Sequence, residues 1–131
     1  MSSLNALFNP GLYSSILDPK YRFNIPLRAV VGSLPTQMSF GLNHADVVVM
    51  YPIELTLVSD QINLTHVQDA TIKRATPNIS MNNRITIPIG ARVEFKTKIR
   101  IWYVANKDHL EIFPNHKSLI RFYPQYKSVV Y

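Results

Sequence analysis

Asp18, Lys20 and Arg22 lie within five residues of one another in the stretch "LDPKYRFNIP" (17–26), and an arginine recurs as Arg84 in "SMNNRITIP" (80–88). A carboxylate four residues before a guanidinium, across a turn, can orient it through a charge-assisted hydrogen bond. An arginine held this way presents a fork of donors that matches a phosphate or the major-groove edge of guanine. Lys20 and Arg28 extend the cationic group in the first stretch. Lys73, Arg74 and Arg92 do so around Arg84 in the second, where Ser80 stands in the place of Asp18. Asp18 and Ser80 are therefore read as turn-orienting residues, and the seven basic residues as candidates for contact with a polyanion.

Other chemistries find no comparable constellation. His44, His66, His109 and His116 fall in no metal-ligand spacing such as HExxH. His44 and His109 read as solvated turn histidines. The four glycines are scattered, so no phosphate-cradling loop is expected. Cysteine is absent, which excludes disulfides, thiolate nucleophiles and cysteine zinc sites. With no nucleophile beside a base and no paired carboxylates, neither an enzyme nor a cofactor is expected.

The charge is unevenly placed. Residues 1–65 carry Lys20, Arg22 and Arg28 against Asp18, Asp46, Glu54 and Asp60, a net of −1. Residues 66–131 carry 11 basic and 4 acidic side chains, a net of +7. That asymmetry points to an acidic partner for the second half. The start, "MSSLNALFNPGLYSS", has no basic segment and no sustained apolar run, so no signal peptide is expected. The longest apolar run, Val47 to Met50, is far short of a membrane span.

The two arginine stretches belong to a longer repeat. With an ungapped offset of 62 residues, Arg22 meets Arg84, Ile25 meets Ile87, Pro26 meets Pro88, Ala29 meets Ala91 and Val31 meets Val93. Asp46, Pro52 and Leu57 meet Asp108, Pro114 and Leu119. Over 17–31 and 40–58 there are eight identities in 34 positions, where chance gives about two. The reading is one domain over 1–131, with copy one at about 14–64, copy two at about 76–121 and a tail at 122–131.

The elements that must carry these residues are short. Each copy reads as a strand, a turn ("DPKY", "MNN"), a second strand ended by proline, a linking turn, and a hairpin. The hairpin strands fall near 37–42 and 46–51 in copy one, and in "KIRIWYV" and "HLEIF" in copy two. "PLRAVVG" reads as a helical turn opened by Pro26 and closed by Gly32. Thr65 with Gln68 forms a capping-box pattern that predicts a short helix in 65–75, and "NHKSLIRFY" predicts another with Asn115 as cap. Period-two alternation in "RVEFKTKIR" favours a strand from about Phe95, with 90–96 open between helix and strand. Ile25, Phe40, Val48, Ile87, Trp102 and Leu110 are the expected core, shared by both copies.

The doubled phrase resembles the turn-and-strand signature of the MraZ family of AbrB-like swapped-hairpin proteins, roughly Asp, x, Lys, Gly, Arg, apolar, x, apolar, Pro. "VVVMYPIEL" and "TKIRIWYVANKDHLEIF" are similar to the segments that follow it, so the likeness spans about 14–120. The resemblance implies a mainly β fold with short helices, closed as an internally duplicated β-barrel of two pseudo-twofold-related halves. It also implies a DNA-binding transcriptional regulator in the cytoplasm or nucleoid, acting as a homo-oligomer, with Asp18, Lys20, Arg22 and Arg84 at the DNA. The sequence departs from the signature where Tyr21 and Asn83 stand for its glycine. A tyrosine at a positive-φ turn position is strained, whereas asparagine tolerates it. The alternative is an assembly subunit such as a virion component. Its contacts would come from the aromatic tail, Phe122, Tyr123, Tyr126, Val129 and Tyr131.

Overall fold

In the computed structural model the described residues are 6–32, 34–43, 47–53, 65–74 and 83–128. The turn at 44–46, Ser80, Val129 and Tyr131 lie outside them. The strands are β1 (Gly11–Ile16), β2 (Arg22–Ile25), β3 (Gln37–Asn43), β4 (Val47–Pro52), β5 (Thr65–Thr71), β6 (Lys73–Arg74), β7 (Asn83–Thr86), β8 (Arg100–Ala105) and β9 (Leu110–Phe113). One helix, α1 (His116–Phe122), follows.

The "VVVM" run marks a strand buried on both faces, the situation that removes polar alternation. Val48 and Met50 of β4 point into one apolar cluster, and Val47, Val49 and Tyr51 into a second. β8 divides likewise, with Ile101, Tyr103 and Ala105 on the first side and Trp102 and Val104 on the other. These strands are central in a six-stranded antiparallel sheet of order β1-β8-β9-β4-β3-β5. A three-stranded sheet, β2-β7-β6, covers one face and contributes Phe23, Ile25 and Ile85 to the first cluster. Leu119 of α1 closes the second, with Phe122, Tyr123 and Tyr126 packed against it. All six expected core residues are buried, but Trp102 belongs to the second cluster rather than to one common core.

The expected barrel does not form. Closure requires the outermost strands to pair with each other. Here β1 and β5 end the large sheet without meeting, and β2 and β7 pair in a separate sheet instead of continuing it. The architecture is two stacked sheets with short helical turns.

The 62-residue offset is written into the ladders. β2 and β7 pair antiparallel with Phe23 opposite Ile85, and β4 and β9 with Val49 opposite Glu111. Each is a residue facing its own counterpart 62 positions away, so a local twofold runs through both pairs. Under that exchange the four inner strands, β8-β9-β4-β3, read the same from either end, while the edge strands β1 and β5 are not 62-residue counterparts. The edge strands come from the chain ahead of each copy: β1, which leads into copy one, pairs with β8 of copy two, and β5, between the copies, pairs with β3 of copy one. The linking turns are 3-10 helices at Leu27–Ala29 and Ile89–Ala91, again 62 apart.

Two local expectations are corrected. Residues 65–71 form strand β5, not a helix. The open side of β3 offers a full ladder, and Ser39 Oγ donates to Asp69 (2.7 Å) and Gln37 to Thr71 (3.3 Å) across it. Tertiary pairing of this kind outweighs a local capping signal. The strand expected from Phe95 begins only at Arg100. Residues 92–99 form turns, with Phe95 buried and Lys98 at φ 67°, a left-handed conformation that breaks the ladder. Asn115 does cap α1, accepting from the Ser118 N–H at 2.8 Å.

Candidate nucleic-acid interface

The turn between β1 and β2 is built around one carboxylate. Asp18 Oδ1 accepts the backbone N–H groups of Lys20 (2.8 Å) and Arg22 (2.9 Å), and Oδ2 accepts Arg22 Nε (2.8 Å). Backbone bonds close the same turn, Tyr21 N–H to Asp18 O and Asp18 N–H to Arg22 O, both 2.9 Å. Burial alone would raise the Asp18 carboxyl. The Arg22 backbone N–H, then the Arg22 guanidinium and the Lys20 N–H, outweigh it and hold the group below its ordinary value of 3.8. Both side chains remain about one-third exposed, at 33% each. Arg22 is thus oriented by Asp18 without being withdrawn from solvent.

Tyr21 sits at φ 61°, the conformation in which glycine is at ease. Its ring lies 4.6 Å from the Arg92 guanidinium carbon, and Arg92 Nε donates to Ile87 O at 2.8 Å. The tyrosine therefore brings Arg92, from the second linking turn, beside the first repeated turn. Sequence spacing alone does not show this contact; the signal was the tyrosine standing at a glycine position.

Alternation decides where the repeated arginines point. Phe23, Ile25, Asn83 and Ile85 are buried, so Arg22, Asn24, Arg84 and Thr86 share the opposite, outward face of the small sheet. In register, Arg22 faces Thr86 and Asn24 faces Arg84. That makes the two arginines diagonal neighbours, about 7–8 Å apart at the backbone. Arg84 takes part in no ion pair among the described residues. The backbone of Lys73 pairs with Arg84, and that of Arg74 with Asn83.

Other candidates lie further off. Lys20 is exposed at the tip of the turn. Arg28 is exposed, with its guanidinium carbon 5.5 Å from the Tyr13 ring. In the tail, Phe122 and Tyr123 contact Phe113 (both 5.9 Å), and the Tyr123 hydroxyl donates to the Glu111 carboxylate. Tyr126 packs on Tyr123 at 6.1 Å. These three rings are half-buried against their own chain. His109 is not simply solvated: Nδ1 contacts Asp108 (2.7 Å) and Nε2 accepts from Asn106 (3.1 Å). No group of three or more metal-ligating side chains occurs among the described residues.

No family model matches this chain, and no curated protein matches it.

Proposed function

We propose that this protein binds DNA as a homo-oligomer and acts as a transcriptional regulator, with the outward face of the small sheet as its contact surface. One observation carries the reading: the two repeated arginines, 62 residues apart in sequence, are diagonal neighbours on one exposed sheet face. Like charges on neighbouring positions of one face repel each other, and among the described residues the carboxylate paired with either arginine, Asp18, is engaged with Arg22. A phosphate backbone supplies the missing negative charge and gains from Arg22 being already oriented. Lys20, Arg92 and the excess charge of residues 66–131 extend the field around that face. The resemblance of the turn to the MraZ signature agrees with this use.

Self-association has its own support. Leu27 and Val31 are exposed (50% and 41%), and so are their counterparts Ile89 and Val93 (76% and 88%). Each linking turn thus offers the same apolar pair to solvent, and the twofold presents it twice. Joining copies through these turns arrays several arginine faces along one duplex, where weak contacts multiply through effective concentration.

Titrating a fluorescent duplex of arbitrary sequence at about 50 mM salt and above tests the reading. Binding that weakens steeply with salt supports it. No binding at about 50 mM salt would overturn it and return the assembly-subunit alternative. Ile89→Ser with Val93→Ser is expected to lower the mass seen by light scattering; an unchanged mass would exclude the linking turns as the self-contact.

A further inference from the structure

A second group of cations lines a cleft on another part of the molecule. Ile99, Arg100 and Trp102, at the start of β8, face Asn115, His116 and Lys117, at the start of α1, across a cleft of about 490 Å³. That volume falls in the range of small-molecule sites, which are largely apolar with a few placed polar groups. Two of the six lining residues are permanent cations and none is acidic. Neither Arg100 nor Lys117 joins an ion pair among the described residues. Arg100 is positioned, since one guanidinium nitrogen donates to Ser14 Oγ at 2.9 Å and its backbone pairs with Ile16 in the ladder. The apolar side is supplied by Ile99 and by Trp102, whose ring sits 5.5 Å from that of His116 at 59°. The Asn115 side-chain oxygen is committed to the Ser118 N–H, so what it can offer a ligand is its amide N–H donors.

We infer that this cleft binds a small organic anion with a flat apolar body, its charge held by Arg100 and Lys117 and its ring set against the exposed Ile99 and the edge of the largely buried Trp102. A purely apolar ligand would leave both cations without a partner. A purely inorganic anion would leave the indole and Ile99 unused. The class that satisfies both is an aryl phosphate or an aryl carboxylate, with Arg100 offering the bidentate fork and Lys117 a point charge. The site is separate from the sheet face carrying Arg22 and Arg84, and does not depend on the DNA reading.

The chain has a single tryptophan, and it lines the cleft, so its emission reports occupancy directly. The full chain would be titrated with phenyl phosphate and with benzoate, following that emission. Benzyl alcohol and inorganic phosphate serve as probes that each lack one half of the chemistry. The expected result is a saturable change with at least one aryl anion, with roughly tenfold or weaker response to both incomplete probes. Arg100→Gln and Lys117→Gln should each weaken binding by roughly fivefold to tenfold, while Lys127→Gln leaves it unchanged. If Arg100→Gln lowers the melting temperature through loss of the Ser14 contact, the exposed Lys117 decides alone. No saturable change with either anion up to about 10 mM would overturn the inference, as would binding that ignores both charge substitutions.

Discussion

The doubled phrase is placed differently in the two copies where the structure describes both. In copy one, five residues separate β1 from β2, Asp18 gathers two N–H groups and a guanidinium, and Tyr21 turns to φ 61°. In copy two, the residue equivalent to Tyr21 is Asn83, which is buried and extended, paired with Ile25 on one side and Arg74 on the other. There β6 pairs with the edge of β7 that faces away from β2. The pairing Phe23–Ile85 is nevertheless shared by both copies. The interior repeats more faithfully than the rim. Tyr103 packs on Phe23 (5.3 Å), yet its counterpart is Gly41, where the β3–β5 register shifts. Ladders must agree residue by residue to bury one face, whereas turns are free to diverge. Among the described residues, Arg22 is pre-oriented by Asp18 and Arg84 has no acidic partner.

The largest test of this asymmetry is in the core. Phe23→Ala should cost about 3–5 kcal/mol, because it empties space beneath Tyr103. Ile85→Ala should cost less, about 2–3 kcal/mol, since no ring stands over it in the related position. Urea melts of both variants measure the difference, and equal or reversed costs would show that the halves are energetically alike.

Tyr103 gives a second test. Burial, opposed in part by its contact with Ser15 Oγ (2.8 Å), pushes its hydroxyl up to about 12 from 10.0. A folded-state value above the unfolded one leaves stability intact below pH 10 and removes it as pH rises towards 12. The loss should reach about 2–3 kcal/mol, and the part due to this group should vanish in Tyr103→Phe. Stability curves that fall in parallel for both proteins would contradict the assignment.

Asp18 acts at the other end of the scale. Its depressed folded-state value means its contribution is present above about pH 4 and fades as pH falls below its ordinary value of 3.8. Asp18→Asn should flatten that acid limb slightly. The smallest effect is expected for Tyr21→Asn. Asparagine relieves the left-handed strain, at about 1 kcal/mol, and forfeits the Arg92 contact, at about 0.5–1 kcal/mol. A thermal melt should move little; a large fall would mean that the ring, rather than the backbone, holds the turn.

Much of this was legible in the sequence, for physical reasons. The offset was visible because buried residues such as Ile25 and Ile87 are constrained by packing in both copies. Proline punctuation located both linking turns, and the Asn115 cap located α1. That the sheet stays open was not legible, because the periodicity of β1 and β5 does not say whether two edges meet. Residues 65–71 misled because a helix-cap pattern is local, while the free side of β3 that captured them is not. Of the candidate site, the Asp18–Arg22 clamp was legible from spacing. The placement of Arg92 by Tyr21, and the cleft joining Arg100 to Lys117, depend on packing between segments distant in the chain.

In the proposed function Arg22 and Arg84 act on one polyanion from one face. The direct measurement is the salt dependence of duplex binding for the parent, Arg22→Ala, Arg84→Ala and the double variant, with Lys96→Ala, in the irregular 92–99 segment, as control. The account predicts that each arginine substitution weakens binding on all sequences and lowers the log–log salt slope by about 1. The double variant should lose about 2 in slope, and Lys96→Ala should follow the parent. Arginine variants that bind with the parent's affinity and slope would contradict the account.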